Sequence, residues 1–82
     1  MNKYTTIKHI VELAYLFANS IPEHKPKVFQ ELSELIAKID FKGESLGKSK
    51  EYLYNIENNT QSAKESFLGL IILVQHSSVL HD

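Results

Sequence analysis

Apolar residues near the start of the chain recur at the spacing of one helical face. These positions are Ile7, Ile10, Val11, Ala14, Phe17, Ala18 and Ile21. We therefore predict a first helix over residues 5–19, with Thr5 or Thr6 as its N-cap. Further apolar residues widen the stripe: Leu13, Tyr15 and Leu16. The side left for solvent carries Lys8, His9 and Glu12. An apolar surface this wide predicts a deeply packed helix.

A second helix follows a segment that contains two prolines. Pro22 and Pro26 are incompatible with a helix interior but suit a first turn. The helix should therefore begin near one of them, as a short turn followed by the main helix. Its apolar face is regular: Val28, Phe29, Leu32, Leu35, Ile36 and Ile39. The opposite face is polar: Lys27, Gln30, Glu31, Glu34 and Lys38.

The third segment has a weaker pattern. Gly43 and Gly47 predict a helix C-cap and a turn. Residues 48–58 are mostly polar. A narrow apolar stripe is formed by Leu46, Leu53 and Ile56 with either Tyr52 or Tyr54. We predict a less regular helix over residues 45–57.

Residues 67–74 form the one stretch in which eight residues pass without a polar side chain. This is far short of the roughly 20 residues that span a bilayer as a helix. Asn59 or Thr60 can cap a helix here, and no Gly or Pro interrupts residues 60–66. We predict a helix over residues 60–80 whose centre is buried nearly all round. A strand over 67–74 is the alternative, favoured by three β-branched residues.

Ser62, Ser66 and Gly69 form a strip of small residues along one side of this fourth helix. Small side chains let another helix approach closely. Since Gly in a helix interior costs about 0.5–1 kcal/mol relative to Ala, we expect Gly69 to serve close packing.

Four amphipathic helices with short connections predict an all-α fold, a small antiparallel four-helix bundle. The alternative is a three-helix bundle with a weakly attached third segment. A chain of 82 residues has room for one core, so we expect residues 1–82 to form a single helical domain.

Composition restricts the classes of function. The net charge is −1 and all nine basic residues are lysines. Because Arg dominates phosphate and base recognition, we expect no nucleic-acid partner. The absence of Cys excludes disulfides and thiolate metal sites. The polar start of the chain lacks a secretory signal, so a cytoplasmic location is expected, without direct membrane insertion.

The sequence offers no pattern typical of a catalytic, cofactor-binding or metal site, and we expect none of them. His9 and Glu12 have a spacing that metals use in helical bundles, but a di-iron bundle needs two E-x-x-H motifs. No Gly-rich phosphate loop and no nucleophile elbow is present. The expected activity is therefore binding rather than catalysis.

The best candidate for a partner-binding surface lies on the third helix: Glu51, Tyr52, Tyr54 and Asn55. Tyr is enriched at binding hot spots, and neighbouring carboxylates can steer a basic partner. The structural alternative is that one Tyr packs on the core while the other lies on the surface.

In size, charge and helix content the chain resembles bacterial immunity proteins, antitoxins and phage-encoded regulators. That likeness implies a regulator or inhibitor that binds another protein through a helical face. A second hypothesis is a structural homo-oligomer, such as a homodimer, that buries excess apolar surface of the first or fourth helix between subunits. A third is a small-ligand bundle that uses His76 and the tyrosines.

Overall fold

The computed structural model describes residues 2–58 and 61–77. They form four helices: α1 (Lys3–Asn19), α2 (Lys25–Ala37), α3 (Glu44–Glu57) and α4 (Ala63–Gln75). The described residues contain no strand, so 67–74 is helical, as predicted. Because α3 packs against both α2 and α4, the four-helix bundle is confirmed and the three-helix alternative is wrong.

Each helix lies antiparallel to its two neighbours. Lys3 Nζ donates to the Gln75 backbone oxygen at 3.1 Å, which joins the start of α1 to the end of α4. His9 of α1 lies 3.6 Å from Glu31 of α2. In the described part of the chain, α1 contacts α2 and α4, and α3 closes the ring between them.

The start of α1 lies earlier than predicted. Asn2 Oδ1 accepts a hydrogen bond from the Thr5 backbone N–H at 2.7 Å, so Asn2 is the N-cap. Thr6 is fully buried, and its hydroxyl donates to the Asn2 backbone oxygen at 2.9 Å. The prediction of Thr5 or Thr6 as cap is therefore wrong. Asn2, three residues before Thr5, caps the helix instead, because its side chain accepts from a free N–H group of the first turn.

The bounds of the other helices agree in part with the sequence pattern. A turn precedes α2, and Pro26 occupies its first turn, as predicted. Gly43 has φ 61° in the turn before α3. Gly47 lies inside α3, so assigning it to a turn was wrong. Helix α4 is shorter than the predicted 60–80. Residues 59, 60 and 78–80 lie outside the described part of the chain. The predicted cap, Asn59 or Thr60, is therefore outside it as well.

One apolar core fills the space between the helices. Its buried members are Ile10, Leu13, Phe17, Leu32, Leu35, Ile36, Ile39, Phe41, Ile56, Phe67, Leu70 and Val74. The rings of Phe17 and Phe67 meet at 5.7 Å between centroids, which ties α1 to α4. All but Phe41 belong to the apolar stripes and the apolar run identified in the sequence.

Two predictions about burial are wrong. On α1, Leu13 is buried but Tyr15 and Leu16 are exposed. On α4, the centre is not buried nearly all round, because Leu68 and Ile72 are each 53% exposed. In a bundle this small each helix has two neighbours, so one side of an apolar helix stays in solvent.

Candidate functional site

The candidate site is a groove between α1 and α4, with a volume of about 650 Å³. We call it the α1–α4 groove. Helix α1 contributes Val11, Ala14, Tyr15, Phe17 and Ala18, and α4 contributes Ala63, Lys64, Phe67, Leu68 and Ile71. Lys25, the first residue of α2, completes the lining. Small side chains, contributed by Ala14, Ala18 and Ala63, alternate with large apolar ones in this lining.

Large apolar side chains along the groove are open to solvent. Tyr15 is 71% exposed, Leu68 53% and Val11 49%. Ile72, one helical turn beyond Leu68, extends the apolar surface along α4. Scattered exposed apolar residues are normal, but neighbouring ones on two packed helices form a patch of the kind that marks interaction sites.

The sequence pattern did not identify this surface as the partner-binding site, because it assigned these residues to the core. The homo-oligomer hypothesis did rest on excess apolar surface of the first or fourth helix. Helices 1 and 4 carry more apolar residues than one buried face needs, and a chain of 82 residues has too little volume to cover both helices completely. The excess itself therefore indicates an apolar surface exposed on the folded chain.

One end of the groove is positively charged. Lys64 lies at the start of α4, and Lys25 lies beside the end of α1. Lys25 Nζ donates to the Phe17 backbone oxygen at 2.5 Å and sits 4.4 Å from the centroid of the Phe17 ring. A cation at a helix C-terminus is favourable, because the last carbonyl groups carry partial negative charge. These contacts hold the Lys25 ammonium at the end of the groove.

A second cleft, of about 640 Å³, lies on the other side of Phe17 and Lys25. Its lining is more polar: Pro22, Pro26, Phe29, Gln30, Ser33, Glu34 and Glu57 join the two shared residues. The two carboxylates make this cleft electrostatically different from the α1–α4 groove.

The structure divides the residues predicted as a binding surface on α3. Tyr52 is half-buried and its ring lies over Gly69 of α4; a Cβ at Gly69 would fall 2.5 Å from Tyr52 Cζ. Asn55 Nδ2 donates to Ser66 Oγ at 3.3 Å, so this side chain also contacts α4. Glu51 and Tyr54 are exposed, Tyr54 by 64%. One Tyr therefore packs inside the chain while the other faces solvent.

The strip of small residues on α4 faces α3 over part of its length. Ser66 is buried against Asn55, and Gly69 lies beneath Tyr52. Ser62 is exposed and directly precedes α4. In this structure Ser66 and Gly69 serve a helix contact within the chain.

The described histidines do not belong to a group that could hold a metal ion. Among residues 2–58 and 61–77, no group of three His, Cys, Asp or Glu side chains could hold a metal ion. His9 pairs with Glu31 rather than with Glu12. His76 lines a cleft of about 150 Å³ with Asp40 and no tyrosine. Because ligand pockets usually measure about 300–1,000 Å³, this cleft does not support the small-ligand hypothesis.

No protein-family model, curated protein or solved structure gave a significant match. Within the described part of the chain, none of the helices combines the length and apolar character needed to cross a membrane.

Proposed function

We propose that the protein is a non-enzymatic regulator or inhibitor that binds another protein through the exposed face of α1 and α4. The observation that carries this proposal is the α1–α4 groove, where Val11, Tyr15 and Leu68 remain open to solvent on two adjacent helices. Exposed apolar side chains that border a concave surface supply the core of a typical interface.

This binding surface lies on α1 and α4, whereas the sequence pattern predicted one on α3. Tyr52 and Asn55 already contact α4, so their side chains are committed to the fold. Tyr54 and Glu51 remain exposed on α3 and serve as the alternative face in the test.

The test compares three immobilised proteins in extract of the native host: wild type, Leu68→Lys and Tyr54→Lys. Both positions are more than half exposed, so both variants should keep the fold and the melting temperature. We expect a stoichiometric partner that the wild type and Tyr54→Lys retain and Leu68→Lys loses. Retention by Leu68→Lys and loss by Tyr54→Lys would return the binding surface to α3.

A structural homo-oligomer is the second candidate, since the same apolar face would be covered by a second copy. A substitution at Gly69 does not test this idea, because Gly69 faces Tyr52 of its own chain. Light scattering does: the self-association hypothesis requires a mass well above 9.4 kDa and a melting temperature that rises with concentration. Leu68→Lys should then restore the monomer mass.

A further inference from the structure

The α1–α4 groove is apolar along its length and charged at one end. Among the described residues that line it, the charged ones are Lys25 and Lys64, both at the end where α1 finishes and α4 begins. The chain as a whole has ten acidic and nine basic residues, so a lining with two cations and no carboxylate differs from the average surface. The adjacent cleft shares Lys25 but also contains the carboxylates of Glu34 and Glu57. Of the two clefts, only the α1–α4 groove is therefore lined by charges of one sign.

The dimensions of the groove match a short length of α-helix. Val11 to Ala18 on α1 spans about 10 Å at 1.5 Å per residue, which is two helical turns. Helices pack with their axes about 8–10 Å apart, and the smaller values require small side chains at the contact. Ala14, Ala18 and Ala63 provide such positions in the groove. Apolar anchors at i, i+4 and i+7 of a third helix would therefore fit between α1 and α4.

Two other occupants fit less well. A two-fold dimer centred on the groove places one concave surface against its own copy, and two facing grooves do not fill each other. A small amphiphile needs a pocket that covers about 70–90% of its surface. Here Tyr15 and Leu68, which border the groove, are themselves more than half exposed.

Resting on the proposed function, we propose that the α1–α4 groove binds an amphipathic α-helix of the partner protein, with acidic residues at the end that meets Lys25 and Lys64. The apolar anchors of that helix cover Val11, Leu68 and the alanines between them. The two ammonium groups select for Asp or Glu and set the orientation of the helix, since charge complementarity fixes register at an interface.

The test uses a phage-displayed library of helical peptides of about 14 residues, four turns, with randomised surface positions. The library is selected on the wild-type protein, and the enriched peptides are titrated by fluorescence anisotropy. We expect apolar residues at i, i+4 and i+7 with Asp or Glu near one end. Replacing those acids by Gln or Asn should weaken binding about five-fold at low salt, and less as the salt concentration rises.

Three variants locate the effect. Leu68→Lys should abolish peptide binding. Lys64→Glu should remove or reverse the preference for acidic peptides. Lys48→Glu makes the same change of charge on the exposed surface of α3 and should have no effect. Circular dichroism and thermal melting establish that all three remain folded.

The failures are distinguishable. Peptides that need Leu68 but show no acidic preference, and no response to Lys64→Glu, would overturn this inference and leave the proposed function intact. Peptides that bind Leu68→Lys as tightly as the wild type would overturn both. A library from which nothing is enriched would overturn this inference, and the capture experiment with Leu68→Lys would then decide the proposed function. A wild-type dimer that Leu68→Lys converts to a monomer would also overturn both, with a second copy as the occupant.

Discussion

Gly69→Ala tests the contact between α3 and α4. A Cβ at Gly69 would lie 2.5 Å from Cζ and 2.6 Å from Cε2 of Tyr52, whereas carbon atoms in contact normally lie about 3.5–4.0 Å apart. The Tyr52 ring must therefore move by about 1 Å. Because the ring is rigid and half-buried against the core, this movement gives up packing on α4.

Two opposing terms decide the sign of the effect. Ala in place of Gly in a helix interior stabilises the fold by about 0.5–1 kcal/mol. Overpacking of a well-filled contact costs about 1–3 kcal/mol. We expect the second term to win, with a net loss of about 1 kcal/mol in the free energy of unfolding. For a domain of this size that loss lowers the melting temperature by about 4–8 °C.

The matched control is Gly47→Ala. Gly47 also lies within a helix, but a Cβ there meets no atom within 4 Å. This substitution should stabilise the protein by about 0.5–1 kcal/mol. Urea unfolding followed by far-UV circular dichroism measures both variants on one scale, and equal slopes show that the same unfolding transition is compared.

A double-mutant cycle assigns the cost to Tyr52. In a Tyr52→Leu background the ring is absent, and Gly69→Ala should become stabilising, as at Gly47. The cycle should therefore give a coupling energy of about 2 kcal/mol. If Gly69→Ala stabilises the wild-type chain as much as Gly47→Ala does, the close approach of Tyr52 to α4 is wrong. Tyr52 would then be available to a partner, as the sequence pattern suggested.

Three further predictions concern single positions. Leu70→Ala should lower the free energy of unfolding by about 2–5 kcal/mol, because Leu70 is fully buried. Leu68→Ala should change it by less than about 0.5 kcal/mol, because Leu68 is exposed. Urea unfolding measures both. If both substitutions lowered the free energy of unfolding equally, the burial of Leu70 and the exposure of Leu68 on opposite sides of α4 would be refuted. Asn2→Ala should cost about 1 kcal/mol through loss of the α1 cap, and Thr5→Ala should be near neutral, as thermal melting can show. Lys25→Met should cost about 1 kcal/mol, because it removes the ammonium from the α1 C-terminus and from the aromatic ring while keeping the apolar stem; an unchanged melting temperature would contradict those contacts.

The fold class was predictable because helical periodicity is a local property of the sequence. The stripes on the second helix place Leu32, Leu35 and Ile36 in the core, and the structure buries all three. Pro26 marks the start of α2 for an equally local reason, since its fixed φ suits a first turn. Phe67, Leu70 and Val74 also lie on one predicted face and are buried.

The candidate site was not predictable in the same way, since exposure depends on which neighbours each helix has. The sequence pattern assigned three apolar residues to the core: Tyr15, Leu68 and Ile72. They are exposed because each helix in the ring of four has only two neighbours. Likewise, Tyr52 and Tyr54 are indistinguishable by type and lie two residues apart, yet α4 covers one and not the other.

The sequence by itself determined that four segments become helices and which face of the second and fourth seeks the core, because propensity and periodicity act within a few residues. Tertiary structure alone decided which apolar side chains stay in water. A chain of 82 residues encloses too little volume to bury two helices that are apolar nearly all round. The packing order of the helices then selects the side that faces solvent, and it places the α1–α4 groove there.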